Sequence, residues 1–561
     1  MRSGFGRVLA FALLLTSGGL AASPLAAVAL VERASPSSFV GDLRNLPVEP
    51  DWRPGDPIRD LPRRARPPVG PPIGLPEAGP DPLVALQKQT RGPGDPGFAT
   101  PLHVYAGAPF TGLNPADPVG DVSREHYIQA VNAAGGAQFR VFDKNTGAVL
   151  SGPTAMHSLG SGVCASGAGD PIVVWDGLGE RWFLLEFGSG SNLCVYLSRT
   201  ADPIAGGWWN YAVPTPTFPD YPHVGVWPNA YVVTTNEADP TVYALERAPM
   251  LGGGTMQIVR LTAPPVSYFG FQVVTPADLD GWASPPAGAK PLVARHYDDE
   301  ADGAPADPLF DAIELWQVDV DWASPGSAAL VGFESVAVPE FSSETCGGYT
   351  SFACVPQPPP GTTPKLDPVR EPIMYRLAYR NFVDHEALVG AFMSDALDFP
   401  DHHSVRWFEL RRTGGGPWSD YQDGTYAVDA THRFMGSAAL DGAGDLAIAF
   451  NVSSTADAPG VRYAGRLAAD PLNTLPQGEY VLQAGTTKNG TNRYGDYTDL
   501  TVDPVDDCTF WFTAMYNPAS TWSTVVGALR FNACATGVAY LFADRFEIGD
   551  FTRWSATGTD P

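Results

Sequence analysis

The side chains of this 561-residue chain best suited to chemistry sit at polar corners, each directly ahead of a β-rich run. They are Asp170, Asp220 with His223, Arg376, Arg433, and Arg493 with Asp496 and Tyr497. Arginine presents a planar fork of donors that matches a sugar carboxylate, a sulfate or a phosphate. A carboxylate beside a tyrosine or histidine can serve as acid, base or nucleophile, as glycoside hydrolysis requires. The pattern therefore predicts Asp170, His223, Arg376, Arg433 and Arg493 as ligand-binding residues and Asp220, Asp496 and Tyr497 as catalytic ones. Arg and Asp at equivalent corners also pair with one another to staple neighbouring units, buried and satisfied. Both readings are open on sequence alone. The acidic loop holding Asp278 and Asp280 is a predicted Ca²⁺ site, since oxygen ligands suit a hard cation, and Asp298, Asp299, Glu300 and Asp302 form a second such loop. Solvated acidic loops are the plainer alternative for both.

Those corners need elements to hold them. Residues 492–516 show the plan: the charged corner Arg493-Tyr494-Gly495-Asp496-Tyr497, an alternating run, an Asp/Pro turn at 503–507 and an aromatic run. That is the signature of an antiparallel hairpin. The same grammar recurs in units opening near residues 117, 169, 218, 259, 374 and 432, of which 259–322 is the most diffuse. The expected fold is an all-β, six- or seven-bladed β-propeller of four-stranded antiparallel blades. The units are longer than the ~40–50 residues of simple propeller repeats, which implies long loops. A chain of β-sandwiches fits less well, because every unit repeats one internal plan and no Pro/Gly linker divides it.

Composition agrees. Gly 60, Pro 55 and 11% aromatics suit a turn-rich β protein. A net charge of −26 with no basic tract excludes nucleic acid and anionic membranes as natural partners. Residues 1–29 read as a signal peptide, with Arg2 and Arg7 ahead of a short apolar run and small residues near Ala21-Ala22-Ser23. That run is shorter than the ~20 residues a membrane span needs, and no later stretch approaches it, so no transmembrane segment is expected. Residues 30–110, rich in Pro, Arg and Gly, are expected as a disordered linker or pro-segment. The propeller spans 111–537 and a short aromatic, acidic tail motif 538–561. The predicted address is exported: extracellular, periplasmic or cell-surface. Cys164, Cys194, Cys346, Cys354, Cys508 and Cys534 are even in number, and in an exported chain they read as disulfides, with nearest-neighbour pairing the expectation.

The segments GDPIVVWDGLGERWFLLEF (169–187), RFMGSAALDGAGDLAIAF (433–450) and RYGDYTDLTVDPVDDCTFWFT (493–513) resemble a family of secreted bacterial β-propellers similar to sialidase-like (BNR-repeat) propellers. The tail ADRFEIGDFTRWS (543–555) resembles a C-terminal motif of exported Gram-negative proteins. The Ser-x-Asp-x-Gly-x-Thr-Trp boxes of true sialidases are not intact; residues 437–444 and 503–511 are loosely similar. The resemblance implies a propeller fold and an exported address. Three functional readings follow: a secreted protein binding a carbohydrate or other anionic extracellular ligand at the axial rim, a sialidase-like glycoside hydrolase, or an adhesion and interaction scaffold without an axial site.

Overall fold

The computed structural model describes residues 29–61, 80–89, 97–302, 307–349, 351–359, 364–397 and 400–534. The expected signal peptide up to residue 28 and the tail motif lie outside the described residues. Within them, seven four-stranded antiparallel units follow one another, with inner strands Val119–Val122, Ile172–Asp176, Asp220–Val226, Thr275–Asp280, Leu377–Asn381, His432–Leu440 and Asp499–Val502. They are blades 1 to 7 of a β-propeller. The inner strands of blades 4 and 5 also pair in parallel, Ala277 opposite Leu377 through Asp280 opposite Arg380.

Blade 2 shows why these sequences fold this way. Ile172–Asp176 and Arg181–Phe187 pair from Ile172 opposite Leu185 to Asp176 opposite Arg181. The Asp176 carboxylate closes the turn by accepting the Leu178 and Gly179 N–H groups at 3.0 and 2.8 Å. Blades stack face against face, so both sides of a strand are covered, and RWFLLEF is buried almost throughout. The one buried charge in that run, Glu186, accepts the Ala137 N–H of blade 1 at 2.9 Å and the Tyr196 hydroxyl at 3.2 Å. It ties two blades together, while burial pushes its carboxyl up to about 8.

The Pro-rich segment is the main correction. Leu30–Ala34 adds a fifth strand to blade 3, and Ser37–Phe39 adds one to blade 2. A helix, Pro82–Gln89, packs against Ser419–Tyr426 of blade 5. His103–Pro109 supplies the outer strand of blade 7, pairing with Ser523–Leu529 and closing the ring between the chain's two ends. Apolar content is a poor guide here because an added edge strand needs only its own N–H and C=O groups to meet an open ladder. The three disulfides pair nearest neighbours, Cys164–Cys194, Cys346–Cys354 and Cys508–Cys534, with Cα separations of 5.6, 5.1 and 6.2 Å.

On the axis, Arg376 is almost wholly buried and donates to Asp278 of blade 4 at 2.6 Å, Asp121 of blade 1 at 3.0 Å and Asp499 of blade 7 at 3.1 Å. Each of these carboxylates also accepts a backbone N–H from a neighbouring inner strand: Asp121 from Trp175, Asp278 from Val226 and Asp499 from Gly120. Ser437 Oγ accepts the N–H groups of Arg376 and Leu500 in the same manner. Burial pushes Asp278 up to about 6 and Asp499 to about 8, with Arg376 opposing the rise in both.

Two outcomes follow from this architecture. A chain starting at residue 111 loses the closing strand and unfolds or aggregates at 25 °C, whereas one starting at residue 41 loses only edge strands and keeps a cooperative melt. Circular dichroism with size exclusion separates the two. Arg376→Met leaves three buried carboxylates without their cation and costs about 3–5 kcal/mol at pH 8. Asp278 and Asp499 carry raised pKa values, so protonation relieves the loss as pH falls, and the deficit shrinks at pH 5. Equal deficits by denaturant melts at both pH values would refute the hub's electrostatic role.

Candidate functional site: the acidic rim cleft

The inner strands begin at one rim of the channel and end at the other, and Arg376 lies between. The cleft at the first rim is lined by Asp117, Asp170, Asp220, Asp367, Asp496 and Arg493, with Phe187, Phe218, Tyr221 and Phe271 as apolar walls. Local backbone aims several of these groups. Asp117, Asp170 and Tyr221 have φ of 43°, 50° and 54°, and each precedes a proline at or just inside the start of its inner strand. Aspartate tolerates this left-handed region better than most residues, and the conformation breaks the strand's alternation just where it meets the rim. In blade 3 a bulge between Asp220 and His223 adds a further shift of register.

Asn132 braces two of the aspartates. Its Nδ2 donates to Asp117 at 2.6 Å, and its Oδ1 accepts the Asp170 N–H at 2.8 Å. The Tyr497 hydroxyl donates to Asp170 Oδ2 at 2.7 Å, and Asn236 donates to Asp220 at 3.3 Å. Arg493 lies 3.8 Å from Asp496 and donates to the Leu61 carbonyl at 3.3 Å, so the N-terminal segment reaches the rim as well. Burial, then the charge of Asp220, pushes Asp170 up to about 7. Asp117 stands well above the usual carboxylate range through burial and the nearby Asp496 and Asp170. Crowded carboxyls in a dry corner share protons, which gives the cleft acid–base capacity near neutrality.

Several expected residues thus converge here: Asp170, Asp220, Asp496 and Arg493. Others do not. Arg376 is consumed by the axial hub. Arg433 is buried within blade 6, donating to Glu479 at 2.8 Å, Asp429 at 3.0 Å and the Thr431 carbonyl at 2.7 Å. The expected funnel of three arginines is therefore absent among the described residues. His223 is fully buried, stacked on Tyr375 at 4.7 Å with Tyr221 and Tyr497 around it, and burial lowers it to about 3. It is a neutral ring beneath the cleft rather than a ligand-facing base. Tyr497, 1% exposed, donates its hydroxyl to Asp170, and burial with the neighbouring carboxyls raises its pKa well above the normal value. Asp278 spends one oxygen on the Val226 N–H and pairs the other with Arg376, whose charge already neutralises it and opposes a cation there. Asp280 lies beside Arg380 and Arg376, whose charges oppose a cation there.

Sequence reasoning missed Asp117, Asp367 and Asn132. The first had a signal, because Asp117-Pro118 repeats the Asp170-Pro171 corner ahead of an inner strand. Asp367 comes from the long connection between blades 4 and 5 and carries no such signature.

No family model and no curated protein matches the chain. Solved structures match it over most of its length. One is the α-L-arabinofuranosidase PaAbf62A from Podospora anserina, at 9% identity over 77% of this chain and 95% of that one, TM-score 0.27. A second is a PL25 ulvan lyase, at 10% identity over 80% and 98%, TM-score 0.36. A third is TolB from Acinetobacter baumannii, at 9% identity over 74% and 80%, TM-score 0.26. These are likenesses of overall architecture alone.

Proposed function

We propose that the rim cleft binds the hydroxyl-rich end of an extracellular carbohydrate. The observation that carries this reading is the convergence of Asp117, Asp170, Asp220 and Asp496, from blades 1, 2, 3 and 7, on one cleft with aromatic walls. Carboxylates accept sugar hydroxyls in pairs, and aromatic faces take the apolar side of a pyranose ring. The cleft has a cavity volume of about 60 Å³, room for a few waters at the ~10–15 Å³ each needs by this measure and small for a whole sugar ring. One hydroxyl-bearing arm enters and the rest of the ligand lies across the rim. With Arg493 the only cation among the lining residues, a neutral sugar is favoured over the anionic ligand that a three-arginine rim would have taken. The three disulfides fit an oxidising, exported setting. No helix among the described residues is long and apolar enough to cross a membrane.

Glycoside hydrolysis is the second reading, favoured by the raised Asp170. A carboxylic acid that keeps its proton to about pH 7 in a polar cleft is the kind of group that general-acid catalysis uses.

The test is a glycan array and calorimetry on the purified full chain, followed by fluorogenic glycosides. Neutral glycans bind, acidic ones bind more weakly, and Asp220→Asn weakens binding at least tenfold with an unchanged melt. Unaltered binding in Asp220→Asn sinks the rim assignment; turnover with an acid limb near pH 7, lost in Asp170→Asn, selects the enzyme. Stability supplies a separate check. Asp170's folded pKa lies above its unfolded value, so its contribution is present in acid and lost as pH rises through about 7. Wild type therefore loses melting temperature between pH 5 and 8, and Asp170→Asn loses less.

A further inference from the structure

At one end of blade 4, away from the axis, a second group of carboxyls is enclosed. Asp298 follows the strand Leu292–Tyr297, Glu300 lies in the single helical turn Asp299–Asp302, Asp311 opens the strand Phe310–Asp319, and Glu340 follows Ala329–Pro339. One oxygen each of Asp298, Glu300 and Asp311 lies within 4.8 Å of the others. Oxygens around one calcium ion, at 2.3–2.6 Å from it, are themselves at most about 5 Å apart. Glu340 is 6% exposed and faces the Glu300 carboxyl, and no N–H or hydroxyl donor reaches either of its oxygens. Glu300 Oε2 is buried without one too.

The surroundings hold this cluster but do not neutralise it. Asp298 accepts the Ser343 N–H and hydroxyl on one oxygen and the Ala301 N–H on the other. Asp311 accepts the N–H groups of Asp299 and Phe341. The nearby Arg406 gives its guanidinium to Asp81, Asp423 and the carbonyls of Pro339 and Glu340, and Arg295 pairs with Glu314. Two acidic side chains expected in this loop are otherwise arranged: Asp302 accepts from Ser267 and Tyr297, and Asp299 Oδ2 accepts the Asp307 N–H.

We propose that Asp298, Glu300, Asp311 and Glu340 form a site for a hard divalent cation of the calcium class. The donors are all carboxylate oxygens, which excludes the nitrogen and sulfur preference of zinc. Fixed N–H donors orient two ligands and leave two longer glutamates to adjust, which suits calcium's variable coordination better than magnesium's strict octahedron. Without a cation, burial pushes Asp311 up to about 9, Glu340 to about 8 and Glu300 to about 7. A bound ion removes that penalty and clips three strand ends of blade 4 beside the Ser342–Asp395 bridge to blade 5.

The experiment uses the full chain stripped with chelator. Ca²⁺ at millimolar concentration raises the melting temperature by several degrees, and Tb³⁺ gives tyrosine-sensitised emission, Tyr268 lying within 3.2 Å of the Asp298 N–H. Glu340→Gln weakens Tb³⁺ binding at least tenfold while melting no lower than the cation-free wild type. Should that variant fail to fold, Glu300→Gln, on a partly exposed residue, provides the same comparison. Asp170→Asn, in the rim cleft, leaves both signals intact. The proposal is overturned if wild type shows neither signal, if both survive Glu340→Gln or its substitute, or if they vanish in Asp170→Asn.

Discussion

The buried contact between Arg376 and the carboxylates of Asp121, Asp278 and Asp499 is the constraint the rest of this propeller obeys. Inner strands present one unpaired edge to the channel, and an N–H left there without water or a partner costs about 1–3 kcal/mol. Aspartates on three inner strands answer those N–H groups, which gathers negative charge at the axis. Such a cluster is untenable without a cation, and a guanidinium serves several carboxylates at once where an ammonium would meet fewer. Arg376, one residue ahead of its strand, reaches across to them. The result is a plugged axis, so the two rims are chemically separate and a ligand can approach only from one side or the other.

That plug explains why the rim cleft is acidic. An arginine spent inside the channel cannot face solvent, and Arg433 is spent within its own blade. The corners at the first rim therefore retain their aspartates with Arg493 as the lining cation. Left-handed backbone at Asp117, Asp170 and Tyr221 holds these groups in place, and strain of this kind persists only where surrounding structure over-determines it. Here the determinants are the following prolines, Asn132 and the Tyr497 hydroxyl.

Much of the fold was legible because hairpin grammar is local. Asp176 with Gly177, or Asp441 with Gly444, fixes a turn from within a few residues, and such turns mark blades 2 and 6 most plainly. The direction of a corner side chain is not local. A single-residue shift turns a strand residue from one face to the other, and bulges between Asp220 and His223 and between Phe434 and Ser437 make that shift where the sequence looks regular. Hence Asp170, Asp220 and Asp496 were found together, while His223 and Arg433 were placed on the wrong side. Asp121, Asp278 and Asp499 carried a signal of their own, since aspartate is depleted in strand interiors and needs a partner there. The partner's identity depended on Arg376, far away in sequence. The Pro-rich N-terminal segment was opaque for another reason: its strands are chosen by open edges on blades 2, 3 and 7, not by any pattern of their own.

Three groups of buried carboxyls, at the hub, at the rim and on blade 4, share one electrostatic problem and meet it by different means. The hub uses an internal guanidinium. The rim uses solvent, Arg493 and shared protons. On blade 4 no described cationic side chain fills that role, although its carboxyls are held by backbone donors as firmly as those of the hub. A net charge of −26 already opposes compaction through long-range repulsion. A chain this acidic that also encloses carboxyls with raised pKa values binds protons more tightly folded than unfolded, which shifts its most stable range toward acid unless cations compensate. A cation on blade 4 would supply the missing positive charge there and make the fold less dependent on pH.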